Sequence, residues 1–185
     1  MIAGLVIIGL SSHSLGVLAA GGDFIADSVA IVLGLLAIRI SQHPHGYLKA
    51  TSIVALINSV LLLVITLFVI FESIQRLLRD TPVIEALPVV IVSAISAIVM
   101  IIGVFILGND ESKDDLHMRS VVLDTIADAA SALAVTATGS IILVTKGFYW
   151  LDSAVALLIG LLIGYQALKL LNDVIKELRG KPSPT

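Results

Sequence analysis

The sequence contains no cysteine, and only 14% of its 185 residues are charged and 5% aromatic. Without cysteine there is no disulfide framework and no thiolate-ligated metal site. The shortage of charge excludes a disordered chain and, against the roughly 25% usual for soluble domains, an ordinary water-soluble one. A net charge of −3 without a basic stripe excludes nucleic acid as a partner. What replaces the missing charge is apolar: 58% of residues are hydrophobic, where soluble domains carry about 45–50%. The remaining class is an all-α, polytopic membrane protein without a soluble domain.

Apolar stretches of about 20 residues are long enough to cross the hydrocarbon core as helices. Five are present, at about 15–40, 49–78, 87–107, 120–144 and 151–171. A shorter run, 1–11, precedes them. It has no positively charged region before it, as a signal peptide would, and is expected to be a spanning helix lacking its first half. The expected architecture is therefore a bundle of six transmembrane helices with the first one partial. Residues 1–178 form the transmembrane domain and 179–185 a tail. The polar loop 41–46, with Pro44, and the charged loop 108–119 are expected to separate helices. Ser93, Ser96 and Gly103 are small residues suited to close helix contact.

Lysine and arginine placement sets the orientation. Arg39, Lys49, Lys113, Arg119, Lys169, Lys176, Arg179 and Lys181 fall at one end of the bundle, and only Arg76, Arg79 and Lys146 at the other. The first end, which carries the C-terminus, is expected to be cytoplasmic.

The few acidic residues inside the spans form a pattern. Residues 23–27 read Asp-Phe-Ile-Ala-Asp and residues 124–128 read Asp-Thr-Ile-Ala-Asp, so one motif recurs 101 positions later. Spacing of i, i+4 puts both carboxylates of a pair on one helix face, a turn apart. A charged aspartate at a helix centre costs about 2.5–3.5 kcal/mol on insertion scales, so four cost on the order of 10–14 kcal/mol. That is comparable to the stability of a whole domain. No basic residue is placed in the apolar cores to offset it, so a cation or protons must. Asp23, Asp27, Asp124 and Asp128 are the candidate metal ligands. Four carboxylates without a cation are harder to keep than four around one, so binding a divalent ion releases protons, and the reverse. Exchange of metal for protons follows if the site opens alternately to either side.

These residues resemble the cation diffusion facilitators, often called zinc transporters. Ser14-Leu15-Gly16-Val17-Leu18-Ala19 leading to Asp23 and Asp27 is similar to that family's second helix. His45-Gly46-Tyr47-Leu48-Lys49-Ala50 resembles the opening of its third, Asp124 and Asp128 the metal motif of its fifth, and Trp150-Leu151-Asp152 the start of its sixth. The resemblance implies a homodimeric, multi-pass transporter in a bacterial or archaeal plasma membrane. It would export divalent metal (zinc, manganese, iron(II), cobalt or cadmium) as substrate rather than cofactor, by proton antiport. The family's zinc members commonly have histidine at the first place of one or both motifs, where this chain has Asp23 and Asp124. An all-oxygen site suits harder ions such as manganese or iron(II), whereas zinc usually takes nitrogen or sulfur. Many members also carry a cytoplasmic metal-binding domain after the sixth helix, and dimerisation or metal sensing through such a domain has no support in these residues.

Other features carry weaker expectations. His43 and His45, with His117 or Asp114 on the same side, form a candidate second ion site, although a solvated loop is the plainer reading. Asp110, Glu111, Asp114 and Asp115 form an acidic run able to concentrate cations. Asn58 packs across helices or lines the pathway, with packing preferred. Asp152, at a helix N-terminus, is read as structural. The main alternative is an intramembrane, magnesium-dependent prenyltransferase-type enzyme using its DxxxD motifs. It would need an arginine or lysine for the diphosphate, and neither pair has one within a turn. An intramembrane aspartyl protease is weaker still, lacking a Gly-x-Gly-Asp context.

Overall fold

A computed structural model describes residues 2–40, 44–79, 81–108 and 116–178, all of them helical apart from short connections. The helices are α1 (Ile2–Ser11), α2 (Leu15–Ile40), α3 (Pro44–Leu78), α4 (Ala86–Gly108), α5 (Leu116–Thr145) and α6 (Trp150–Leu178). Among the described residues, α2 to α6 are each long and apolar enough to cross a membrane, and α1, with 10 residues, is not. The chain is thus a multi-pass membrane protein, as expected.

Three helix boundaries lie beyond the apolar stretches. α3 starts at Pro44, inside the expected loop, because proline lacks only an N–H that the first helical turn leaves unpaired anyway. α5 starts at Leu116 and α6 continues to Leu178. Both extensions are more polar than the spans they continue, and there hydropathy carries little helical signal. The acidic run at 110–115, His43 and the 179–185 tail lie outside the described residues, as do the side chains of His45 and His117.

α3 packs most extensively on α6, and α4 on α5, while α2 stands between them and touches α1, α3, α5 and α6. Close approach depends on small residues. A Cβ on Gly22 of α2 would sit 2.5 Å from Ile65 Cγ2 of α3, and on Gly160 of α6 it would meet Ile70 Cγ1 of α3 at 3.1 Å. Gly139 of α5 takes Val89 and Val90 of α4 in the same way, and Ser93 and Ser96 are buried on that α4 face. Several buried hydroxyls are satisfied locally: Thr66 donates to the Leu62 carbonyl, Ser93 to Val89 and Ser96 to Val92, each one turn back, whereas Ser12 Oγ and Ser73 Oγ have no partner. Thr136 donates to its own helix at Ala132 and also reaches Ser93 Oγ across the α4–α5 contact at 2.9 Å. Large apolar side chains such as Leu67, Phe68, Phe71, Phe105 and Tyr165 point outward and are more than half exposed, as lipid-facing residues should be.

The three connections at the end opposite the C-terminus are tied together. His13 turns the chain between α1 and α2 with a positive φ of 58°. Its carbonyl accepts a 2.6 Å bond from Arg76 near the end of α3, and Arg76 also pairs with Glu72 at 3.0 Å. Glu85 N–H, just before α4, donates to the Ser12 carbonyl. The turn between α5 and α6 carries its left-handed residues at Lys146 and Phe148, on either side of Gly147.

The Gly22 contact yields a test. Gly22→Ala gains about 1 kcal/mol of helix propensity but forces Ile65 aside, and overpacking of this kind typically costs about 1–3 kcal/mol. The thermal midpoint of the detergent-solubilised protein should fall, and adding Ile65→Ala should recover most of the loss. An unchanged midpoint in Gly22→Ala would mean that α2 and α3 are not in close contact.

Candidate metal centre

α2 and α5 touch only over a short stretch, and their aspartates meet there. One carboxylate oxygen from each of Asp23, Asp27 and Asp128 lies within 4.8 Å of the others. Oxygens sharing one tetrahedral zinc ion would lie about 3.3–3.6 Å apart at carboxylate bond lengths of about 2.0–2.2 Å. The triad is therefore at most about 1.5 Å wider than one bound ion requires. Asp23 and Asp128, from different helices, are within hydrogen-bonding reach of each other. Such a bond between two carboxyl groups needs a proton on one of them.

Asp124 does not join this group. It stands one turn from Asp128, exposed, on the wall of the same cavity. The expected convergence of four carboxylates is met by three, with the fourth at the approach. Spacing along a helix fixes which residues share a face, and leaves the rotation of one helix against another undetermined.

The cavity holds about 660 Å³ and is lined by Asp23, Asp27, Asp124, Asn58 and the α6 residues Gln166, Lys169 and Asp173, among others. It reaches the surface at Gln166 and Lys169, in the half of α6 nearer the C-terminus. On the other side of Asp23 the bundle closes. Two voids there, one beside Ile65, Thr66 and Gly160 and one beside Phe24, Ser131 and Ile159, hold only about 10 Å³ each. Neither has room for more than about one water. Among the described residues, the open approach to the aspartates is thus from this end of the bundle.

Gln166 and Asp173 had not been singled out from the sequence, and Lys169 only as a marker of orientation. The three recur at i, i+3 and i+7, a polar stripe along one face of α6, and that spacing was the available signal. Lys169, expected outside the apolar cores, nonetheless lines the cavity of Asp23, Asp27 and Asp124. The sequence placed it near a helix end, and a long lysine side chain reaches well beyond its own turn.

Asp152 has a larger part than its own helix required. It is 2% exposed, and its carboxylate accepts bonds from three donors at the start of α2: Ser14 Oγ at 2.6 Å, Leu15 N–H at 2.7 Å and Gly16 N–H at 3.4 Å. Ser14 Oγ in turn accepts from Val17 N–H. The first N–H groups of a helix have no partners within it, and a carboxylate there also meets the positive end of the helix dipole. Gly16 is required by this arrangement, because a Cβ there would lie 3.1 Å from both Asp152 Oδ1 and Val135 Cγ2. Asp152 of α6 therefore fixes where α2, the helix bearing Asp23 and Asp27, begins.

Removing that clamp should be measurable. Hydrogen bonds to a charged group contribute about 1.5–3 kcal/mol, so Asp152→Ala should lose about 3 kcal/mol or more. Asp152→Asn keeps one acceptor oxygen and should fall between. Hydrogen exchange at the amides of residues 15–17, followed beside the thermal midpoint, should speed up in the same order. Unchanged protection in Asp152→Ala would refute the cap.

A protein-family model described as the cation efflux transmembrane domain matches residues 1–179. Among curated relatives, "Zinc transporter ZitB" of Pectobacterium atrosepticum is 31% identical over a match covering 96% of this chain and 57% of that protein. "Metal cation efflux system protein CzcD" of Cupriavidus metallidurans is 29% identical, covering 84% of this chain and 50% of the relative. "Cadmium, cobalt and zinc/H(+)-K(+) antiporter" of Bacillus velezensis is 27% identical, covering 96% and 60%. The chain spans between 50 and 60% of the length of these relatives.

Proposed function

This chain belongs to the cation efflux family, and we propose that it carries a divalent metal ion out of the cytoplasm in exchange for protons. Asp23, Asp27 and Asp128 hold the ion, and Asp124 moves in from the cavity wall as the fourth ligand. The observation that supports this most directly is the meeting of three carboxylate oxygens from two spanning helices, within 4.8 Å, two of them (from Asp23 and Asp27) belonging to residues that line the cavity. The family is one of transporters, which sets aside the prenyltransferase alternative. Metal and protons are accordingly substrates.

The excess of lysine and arginine at the C-terminal end orients that end to the cytoplasm. The open cavity then faces the compartment from which metal is loaded, and the tied connections face outward. Two carboxylates sharing a proton before loading would give that proton up when a dication arrives, because a 2+ charge replaces it between the same oxygens. Export requires the open end to close and the tied end to part. The relatives named above as zinc, cadmium and cobalt transporters support a divalent ion. The donor set here is all oxygen, which favours manganese and iron(II) beside them. We further propose a homodimer in the plasma membrane of a bacterium or archaeon.

The decisive experiment reconstitutes the protein in vesicles with a pH dye inside and offers zinc, manganese, iron(II), cobalt and cadmium separately. Metal movement should be matched by opposite proton flux, and a more acidic receiving compartment should speed it, because protons must enter as metal leaves. Asp27→Ala and Asp124→Ala should each reduce transport at least tenfold, and Asp124→His should shift preference toward zinc. Metal flux without proton flux would overturn the exchange, and full activity in both alanine variants would overturn the site.

A further inference from the structure

Asn58 lies near the middle of α3 and is 9% exposed. It lines the same cavity as Asp23, Asp27 and Asp124. Its side-chain oxygen, Oδ1, is fully buried and has no hydrogen-bond partner. A buried acceptor left unpaired costs about 1–3 kcal/mol, and within a membrane no bulk water is at hand to relieve it. Ser59 and Thr66 of α3 are satisfied, by the Leu56 and Leu62 carbonyls; Ser73 Oγ, 15 residues beyond Asn58, is also unpartnered but does not line the cavity. Asn58 is also the one amide side chain within the apolar core of that helix, from Ile53 to Phe71. An amide oxygen needs a donor or a cation. The cavity it borders is walled by carboxylates, which offer no donor when ionised.

We propose that Asn58 supplies its amide oxygen to the transported ion, as a neutral ligand or through one water, and thereby favours manganese over zinc. This rests on the proposed aspartate site and adds a third helix, α3, to its ligands. The chemistry follows from charge and coordination number. Each further carboxylate would add negative charge that lipid disfavours, whereas an amide adds an oxygen at no charge. Manganese takes up to six oxygen ligands from carboxylates, carbonyls and water. Zinc is satisfied by four in a tetrahedron. A fifth oxygen beside four aspartates therefore contributes to the manganese complex and little to the zinc complex. A half-turn about the last side-chain torsion exchanges the amide oxygen and nitrogen, so the oxygen faces the ion without movement of α3. The same amide serves as a discriminating contact because it is buried: a solvated amide would yield its place to water at no loss.

The test measures binding of Mn²⁺ alone, from the electron paramagnetic resonance of the free ion, and of Zn²⁺ alone, by competition with a chelator, in the purified full chain at one pH. Asn58→Leu, similar in size but without the oxygen, should weaken Mn²⁺ tenfold or more and Zn²⁺ less than threefold. Asn58→Asp, which keeps an oxygen in place, should bind Mn²⁺ at least as well as the unaltered protein. A loss of Mn²⁺ affinity below threefold in Asn58→Leu overturns the assignment, and so does an equal loss for both ions, the signature of a packing role. Asp128→Asn separates the two proposals. It should abolish binding of both ions, and if it does while Asn58→Leu changes nothing, only the Asn58 ligand is wrong. If Asp128→Asn binds both ions normally, the aspartate site itself is wrong and Asn58 falls with it.

Discussion

One carboxylate holds the bundle in register. Asp152 lies at the start of α6, yet its oxygens accept from Ser14, Leu15 and Gly16 at the start of α2. A helix end buried in apolar surroundings must find partners for its leading N–H groups, and here another helix provides them. The bond joins elements 137 residues apart in sequence. It sets the height of α2 against α6, and with it the height of Asp23 and Asp27 against the polar stripe of Gln166, Lys169 and Asp173. Gly16 is small for the same reason, since a side chain there would press on the carboxylate.

The two ends of the molecule are built on different physics. At the Asp152 end, directional bonds connect the α1–α2 turn to α3, to the segment before α4 and to α6. Further in, contact is through glycine against branched apolar side chains, as at Gly22 with Ile65 and Gly160 with Ile70. Dispersion contacts of this kind are individually small and have no preferred direction. Past the aspartates the helices stand apart and leave the cavity. The carboxylates thus sit at the border between a closely packed half and an open half.

Much of this was legible in the residues, for reasons that can be named. α2 runs from Leu15 to Ile40 as its apolar stretch does, because lipid penalises polarity along a whole span and leaves few alternatives. The aspartate pairs stood out because their burial is too costly to be incidental. Polar helix ends were not legible, since α5 and α6 extend into more polar residues, where hydropathy says little. Nor was the separation of Asp124 from its three partners, which depends on how α5 is rotated against α2. Asp152 was recognised as structural, but its own helix end offered a sufficient account and hid the longer-range one. Packing was the simpler expectation for Asn58; only its place beside the cavity, with an unpartnered oxygen, distinguishes the two readings.

The clamp on α2 makes that helix a lever with a fixed fulcrum. Asp23 lies eight residues from Leu15, about 12 Å along the axis, and Ile40 about 38 Å. A tilt of about 10° around the clamp would therefore carry Asp23 about 2 Å and the far end of α2 between 6 and 7 Å, at 1.5 Å of rise per residue. Asp27, about 18 Å along the axis, would move about 3 Å. Displacement along α2 grows with distance from the clamp, so one rigid rotation moves Asp23 little and the far end of the helix much, with no hinge needed inside it.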